Sequence, residues 1–453
     1  MCTHGVNDGS HIKVEQFITF PLLHRLLKDL DPIGHLCSFF LTAIQIDLGF
    51  ELMMKTIVCI ASYYKGCDFL IGCKEQDNRV ILITSESLRS EDWPFSYIDE
   101  TYYMPDVEKH VWNMDDFVKG FAYLMQHHTI DAVVALDDFD VEKAAMIRET
   151  FRIPGMGQTT YRYFRDKLAM RQKAKDSGIS IPEFSAIFND KALQKFTEEV
   201  PGPWVLKPRS EASATGIIKI SSQEELWPAL ERLGEERMKF LLESFKPGDV
   251  YHVDCLVYED KIVFASFSKY LATPMKVSHE GGVFRTVTLS KKTKESKALD
   301  KINKEVLSSF GIRNGATHSE YIRGEDGQFY FLEASSRIGG VHIPEMIEAA
   351  TGINLWKEWA KLETAILKGE KYEVQETKKF YGGLLVSLAK EEVPDTRPLV
   401  CDEVDRFLSK KYHIGIVYKA DKPETVISRL NEAADYITRE VMQILPPAKS
   451  TLS

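Results

Sequence analysis

Two glutamates in residues 317–340, THSEYIRGEDGQFYFLEASSRIGG, carry the strongest chemical signal in the chain. Asp326-Gly327 sits between two alternating apolar runs. That predicts a two-residue hairpin in which Glu325 opposes Gln328 and, counting outward, Glu320 opposes Glu333. Directly opposed residues hold their Cβ atoms about 4.5–5.5 Å apart, where like charges repel. A divalent cation turns that repulsion into binding, and few carboxylates with room left for water or phosphate suit Mg²⁺. Ser335 and Arg337 follow Glu333 at two-residue steps, so they share its face if the strand continues. A hydroxyl able to ligate the ion and a guanidinium able to grip phosphate would then flank the carboxylates. His318, two residues before Glu320, lies on the same face as a conceivable base, or as a structural or substrate contact. The competing reading is a surface hairpin with charges on its wet side.

The elements that must position these residues follow from the whole chain. At 453 residues it divides into two to four compact units. A net charge of −10 argues against a nucleic-acid partner. Seven cysteines without a C-x-x-C pair suit a reducing, cytoplasmic setting, and Cys67 and Cys73 read as packing residues. The apolar run 36–50 is shorter than a membrane span and carries Asp47, so no membrane partner is expected. Met53-Met54 precede the first clean strand. Residues 1–52 therefore read as an upstream extension of the translated core, the alternative being a helical arm.

From Thr56 the pattern alternates strand and helix through about Phe151, which predicts a parallel, helix-covered sheet over 53–153. Asp137 and Asp138 fall at a strand's carboxyl end, where such sheets collect ligands, the alternative being that Asp138 or Asp140 caps the following helix. Ile153-Pro154-Gly155 marks a boundary. A basic helix over 160–178 and a small α+β unit follow to residue 240. A metal-binding α+β unit is expected over 241–370, and an α+β portion over 371–453. The fold class is thus α/β and α+β, multidomain. The loop SEASAT after Lys207 is small enough to admit a phosphate, or is a plain turn. The chain has no G-x-x-x-x-G-K-[ST], H-E-x-x-H or G-x-S-x-G.

Taken in order, D-K-x-x-x-R at Asp166–Arg171, V-L-K-P at Val205–Pro208, the loop ending at Gly216, L-E-S-F at Leu242–Phe245 and E-x-S-x-R at Glu333–Arg337 resemble the ATP-grasp superfamily. The likeness is to its carboxylate-amine ligases, including bacterial amino-acid ligases that make dipeptides. The resemblance implies a Rossmann-like pre-ATP-grasp domain followed by an ATP-grasp fold of two α+β subdomains. It implies ATP and Mg²⁺ (or Mn²⁺) as cofactors, with Lys167 and Lys207 on the phosphates. Ser213, Thr215 and Gly216 would belong to a flap, and Glu243, Ser244 and Phe245 to a hinge at the adenine edge. Glu320, Glu333 and Ser335 would hold the metal, and Arg337 would steady the transferred phosphoryl group. Two departures stand out. Ser335 replaces the usual Asn, and Val250 stands where an acid should hold the ribose, leaving Asp249 as its substitute.

The chemistry implied is phosphoryl transfer to a carboxylate and attack by an amine, with small-molecule carboxylate and amine partners and a homodimer left open. Lys269, Arg285 and the HEGG loop (279–282) could bind the substrate's carboxylate, or be ordinary surface charge and turn. Another acceptor (bicarbonate or a thiol), or a nucleotide sensor without turnover, are the competing readings.

Overall fold

The computed structural model describes residues 54–211 and 215–443. The expectations placed on residues 1–52, on Met53 and on Ser213 fall outside the described residues. Strands β1 (Thr56–Ala61), β2 (Arg79–Ser85), β3 (Glu100–Met104) and, after a small hairpin of β4 (Asp106–Glu108) and β5 (Val111–Trp112), β6 (Ala132–Ala135) build the first sheet. Its order is β3-β2-β1-β6 and every pairing is parallel. TIVCIA and VILITS are buried throughout, as strands covered on both faces must be. Helices α1 (Cys67–Glu75), α2 (Met114–His127) and α3 (Val141–Phe151) follow the strands. The edge strand β3, ETYYM, is half-buried along its length and carries no apolar run to announce it.

The long basic helix expected over 160–178 is interrupted. A single turn at Gln158–Tyr161 gives way to α4 (Lys167–Asp176), because the Asp166 carboxylate accepts from the backbone N–H of Leu168 (3.0 Å) and caps a new helix. Next comes a small antiparallel sheet of β7 (Phe184–Ala186), β8 (Trp204–Pro208), β9 (Ile218–Ile220) and β10 (Phe240–Ser244), ordered β7-β10-β8-β9. Helices α5 (Asp190–Glu199) and α6 (Gln223–Leu233) accompany it.

After Ser244 the chain enters an eight-stranded antiparallel sheet. It comprises β11 (Gly248–Tyr258), β12 (Lys261–Tyr270), β13 (Phe284–Thr288), β14 (Gly315–Gly324), β15 (Phe329–Ser335), β16 (Tyr381–Leu388), β17 (Val404–Lys410) and β18 (His413–Ala420). The order is β15-β14-β11-β12-β13-β16-β18-β17, so the segment after residue 371 continues the sheet that carries the glutamates. The edge strand β17, VDRFLSK, is mixed in polarity and escapes a pattern search. Helices α7 (Pro274–Glu280), α8 (Lys294–Phe310), α9 (Ile343–Thr351), α10 (Leu355–Lys368) and α11 (Pro423–Tyr436) complete the fold. The HEGG stretch is therefore half helix, the end of α7, and half a Gly281-Gly282 turn.

One seam locks the first sheet to the large one. Helix α1 lies against α10 so closely that a Cβ on Gly72 would stand 2.9 Å from the Ala360 side chain. Phe69 packs its ring 4.8 Å from Trp359, and Asn78 donates to Thr364 at 2.6 Å. Phe69, Trp359, Leu256 and Phe264 share one core cluster with the buried faces of β1 and β2.

Candidate active site

The glutamates do oppose each other, by a route the simple hairpin count misses. Gly324 N–H donates to Gln328 (2.9 Å) and Arg323 pairs with Phe329, so the turn holds three residues, Glu325–Gly327, with Gly327 at φ +79°. The expected Glu325–Gln328 pair is replaced by Gly324–Gln328. A bulge at Leu332 then restores the register, and Glu320 meets Glu333. The bulge also separates two jobs. Strict alternation would put Glu333 on the face of Phe331, which is fully buried in the core; the extra residue turns Glu333 to the cavity instead.

That cavity, about 410 Å³, lies between the small and large sheets. Its wall brings together Lys167, Lys207, Thr215, Glu243, Ser244, Phe245, His318, Glu320, Glu333 and Arg337. Lys167 Nζ is 2.8 Å from Glu333 Oε2 and donates to the Glu211 carbonyl at 2.6 Å. Burial raises the Glu333 carboxyl, but Lys167, and behind it Lys207, outweigh burial and hold it below its ordinary value. Glu320 Oε1 accepts from the Tyr270 hydroxyl at 2.6 Å and lies 3.7 Å from His318 Nε2.

His318 is clamped from behind. Its Nδ1 donates to Asp254 Oδ1 at 2.9 Å, while Asp254 Oδ2 lies 2.7 Å from His252 Nδ1. Burial lowers the His318 pKa, yet Asp254 outweighs burial and lifts it to about 9. At neutral pH the ring is an imidazolium with no lone pair to offer, so the conceivable base is a fixed cation. His252, Asp254 and His318 lie close enough to hold a metal, but both Nδ1 atoms are spent on Asp254 and His252 Nε2 on Thr286.

A second buried cluster sits at the strand ends of β8 and β10. Both Glu243 oxygens are taken, one by Arg171 and one by Lys207. The side chain expected at the adenine edge is thus the counter-ion of two buried cations. Burial pulls Lys207 down to about 8, although Glu243 works against it. The Ser244 and Phe245 N–H groups are committed to the carbonyls of Glu183 (2.7 Å) and Pro203 (2.9 Å), which fixes the hinge backbone.

Arg337 reaches the cavity in a buried ion pair with Asp138 from the end of the first sheet, and its NH1 donates to the Ile338 carbonyl at 2.9 Å. Burial works against both charges, yet the pairing holds Asp138 well below and Arg337 above their ordinary values. Arg337 Nε and Asp138 Oδ1 have no hydrogen-bond partner. Asp137 instead caps the turn that follows, accepting from Phe139 N–H at 3.2 Å.

Other expected residues lie elsewhere. Asp249 points off the cavity to the rim and pairs with Lys269 at 2.6 Å, while Val250, its strand neighbour, faces in. Lys269 is removed from the cavity by the same alternation. Arg285 donates to Asn431 on α11 at 2.6 Å, away from the glutamates. Ser335 is buried opposite His318 and does not reach the cavity wall. Gly216, at φ +69°, packs over Pro208 and leaves the wall to Thr215 and Ile217. The site also draws on residues that the sequence reading left without a role in it. Arg171 is the last letter of D-K-x-x-x-R, Asp254 stands two residues from His252 on β11, and Tyr270 ends β12. None has a spacing to Glu320 or Glu333 that a linear search could use.

The donor set suits a hard divalent ion, because Glu320 and Glu333 supply oxygen and no sulfur or free imidazole faces them. The unpartnered Arg337 Nε and the lysines suit a polyphosphate beside it.

The ATP-grasp domain family model matches residues 200–345. The L-arginine-specific L-amino acid ligase of Bacillus subtilis is 28% identical over 234 residues, 50% of this chain and 56% of that protein. The D-alanine–D-alanine ligase of Bacteroides fragilis (strain YCH46) is 22% identical over 298 residues, 58% of this chain and 90% of its own. The match thus spans little more than half of the first of these relatives. Among solved structures, an L-amino acid ligase from Bacillus licheniformis superposes with a TM-score of 0.66 at 18% identity, covering 86% of this chain and 98% of that one. Biotin carboxylase from Campylobacter jejuni gives 0.64 at 15%, covering 86% and 92%. The matched residues 200–345 include β8 and β10 of the small sheet and β11–β15 of the large one, the strands that wall the cavity, so this part of the chain is an ATP-grasp domain, and the fold shared with the solved structures extends beyond it.

Proposed function

We propose that this protein is an ATP-dependent carboxylate-amine ligase that makes an amide between small molecules, amino acids among them. The observation that carries the reading is the convergence of the opposed Glu320 and Glu333 with Lys167, Lys207 and Arg337 on one cavity. Three cationic side chains beside two facing carboxylates can take a divalent ion and a polyphosphate together. The terminal phosphoryl group of ATP passes to a substrate carboxylate oxygen and ADP leaves. The amine nitrogen then bonds to the acyl carbon as the C–O bond to phosphate breaks. Phosphate departs with the bonding electrons, and the nitrogen loses a proton.

In this scheme Lys167 and Lys207 orient the phosphates, and Arg337, held by Asp138, presents a fixed charge to the group in transfer. Glu320 and Glu333 would hold Mg²⁺, which supplies charge neutralisation when bound. The fixed imidazolium of His318 adds positive charge to the same wall. The L-amino acid ligase likeness supports amino-acid substrates. Among the described residues five cysteines are free, which supports a reducing, cytoplasmic location, and no helix is long and apolar enough to cross a membrane.

The test is phosphate release from ATP and Mg²⁺ with single amino acids and then pairs, with mass spectrometry of the products. Phosphate that appears only with a pair, together with the amide mass, is the expected result. Tight ATP binding without turnover across the panel would overturn the ligase reading in favour of a sensor.

A further inference from the structure

Beyond the turn that follows Arg337, the space opens into a second chamber of about 960 Å³, close to the top of the roughly 300–1,000 Å³ range of small-molecule sites. Val277, Ser278, Phe284, Gly340 and Val341 line both chambers, so the two are contiguous. The dividing turn is strained: Val341 and His342 stand at φ 51° and 63°, and a β-branched residue there is a marked outlier. Such strain persists where the surrounding structure enforces it, often at a ligand site. Here it sets the start of α9 and puts Glu345 on the second chamber's wall.

Glu345 is half finished. His342 Nδ1 lies 2.9 Å from its Oε1, while Oε2 is buried and receives no hydrogen bond. A buried acceptor left unpaired is costly, and the Glu345 side chain, 31% exposed, can turn that oxygen to a donor in the chamber. The other carboxylate on this wall, Asp68, is already served by Asn354 Nδ2 at 2.7 Å. Trp356, Leu388 and Leu408 add apolar surface. Lys410 and His413 line the same chamber and oppose each other across β17 and β18. Lys411 pairs with Glu392 at 2.6 Å, whereas Lys410 has no acidic partner among the described residues.

We infer that the second chamber holds the amine substrate, and that this substrate is an α-amino acid or short peptide with a bulky apolar side chain. Its nitrogen donates to Glu345, its side chain lies on Trp356, Leu388 and Leu408, and its carboxylate meets Lys410 and His413. The inference rests on the ligase reading for the word substrate, but the binding it describes needs no turnover.

Calorimetry on the full chain with L-leucyl-L-phenylalanine, its C-terminal amide and L-alanine tests it directly. The dipeptide should bind at least about tenfold tighter than L-alanine, and Glu345→Gln should weaken it by about tenfold or more. Lys410→Ala should weaken the dipeptide and leave its amide unaffected. Leu408→Trp, at a separate position on the chamber wall, should also block the dipeptide, and circular dichroism and thermal melting of each variant separate lost binding from lost fold. Equal affinity for L-alanine and dipeptide, or full affinity in Glu345→Gln, would overturn the assignment. Hydroxylamine trapping of an acyl phosphate, from ATP and a carboxylate panel, reads the ligase chemistry separately. Trapping without dipeptide binding sinks this inference alone, and dipeptide binding without trapping sinks the ligase reading alone.

Discussion

Lys207 should make nucleotide affinity fall as pH rises through about 8. Its ammonium is buried, and burial pulls its pKa to about 8 even with Glu243 in contact. Roughly nine-tenths of the lysine is then charged at pH 7 and roughly one-tenth at pH 9. A phosphate beside it favours the charged form. ATP therefore binds the protonated protein better, and binding takes up a proton in the window just above pH 8. If Lys207 contacts the phosphates, the ATP dissociation constant should rise by up to about tenfold from pH 7 to pH 9, following the loss of the charged fraction. Lys207→Arg stays charged throughout and should abolish that slope. Glu243→Gln removes the group that props the ammonium up, so the loss should begin at lower pH. The assay is calorimetry with a non-hydrolysable ATP analogue at several pH values, each in two buffers of different ionisation heat. A flat profile, or a slope that survives in Lys207→Arg, would refute the assignment of Lys207 to the phosphates.

Three further outcomes follow from the same geometry. Glu333→Gln should abolish turnover while thermal melting and circular dichroism show an intact fold; activity equal to wild type would remove the metal assignment. Tyr270→Phe deletes the donor to Glu320 Oε1 and should weaken metal binding about 10–100-fold, read from Mn²⁺ titration by electron paramagnetic resonance; unchanged Mn²⁺ affinity would show that the hydroxyl does not orient the ligand. His318 has its folded pKa raised to about 9 from an ordinary 6.5 by Asp254. The stability this gives is complete below pH 6.5 and lost as pH rises through about 9. Asp254→Asn should lower urea stability most at the acid end of that window and flatten the profile across it. A parallel downward shift at every pH would contradict the ion pair.

The parallel sheet and the opposed glutamates were legible because each follows from local periodicity or turn chemistry. Even so, Glu320 meets Glu333 through a three-residue turn and a bulge at Leu332, and no residue type in YFLEA marks a bulge. Tertiary charge pairing was not legible. Asp138 meets Arg337 across 199 residues and Lys207 meets Glu243 across two strands, and such partners are chosen by the fold rather than by spacing. Asp249 lies off the cavity wall for a simpler reason. Strand alternation sends one of two neighbours outward, and Val250 took the inward place.

The seam between α1 and α10 bears on how far this protein can be taken apart. Its sequence reads as modules in series, and an engineer would be tempted to cut at Pro154 and keep the nucleotide-binding remainder. Such a fragment would bare the α10 surface that Phe69 and Gly72 cover and remove the Asn78 donor from the Thr364 hydroxyl. It would also strip Arg337 of Asp138, leaving a buried guanidinium without its ion-pair partner at the cavity. The first sheet is in that sense no detachable accessory, and swaps between relatives should exchange it together with α10 and the Arg337 strand.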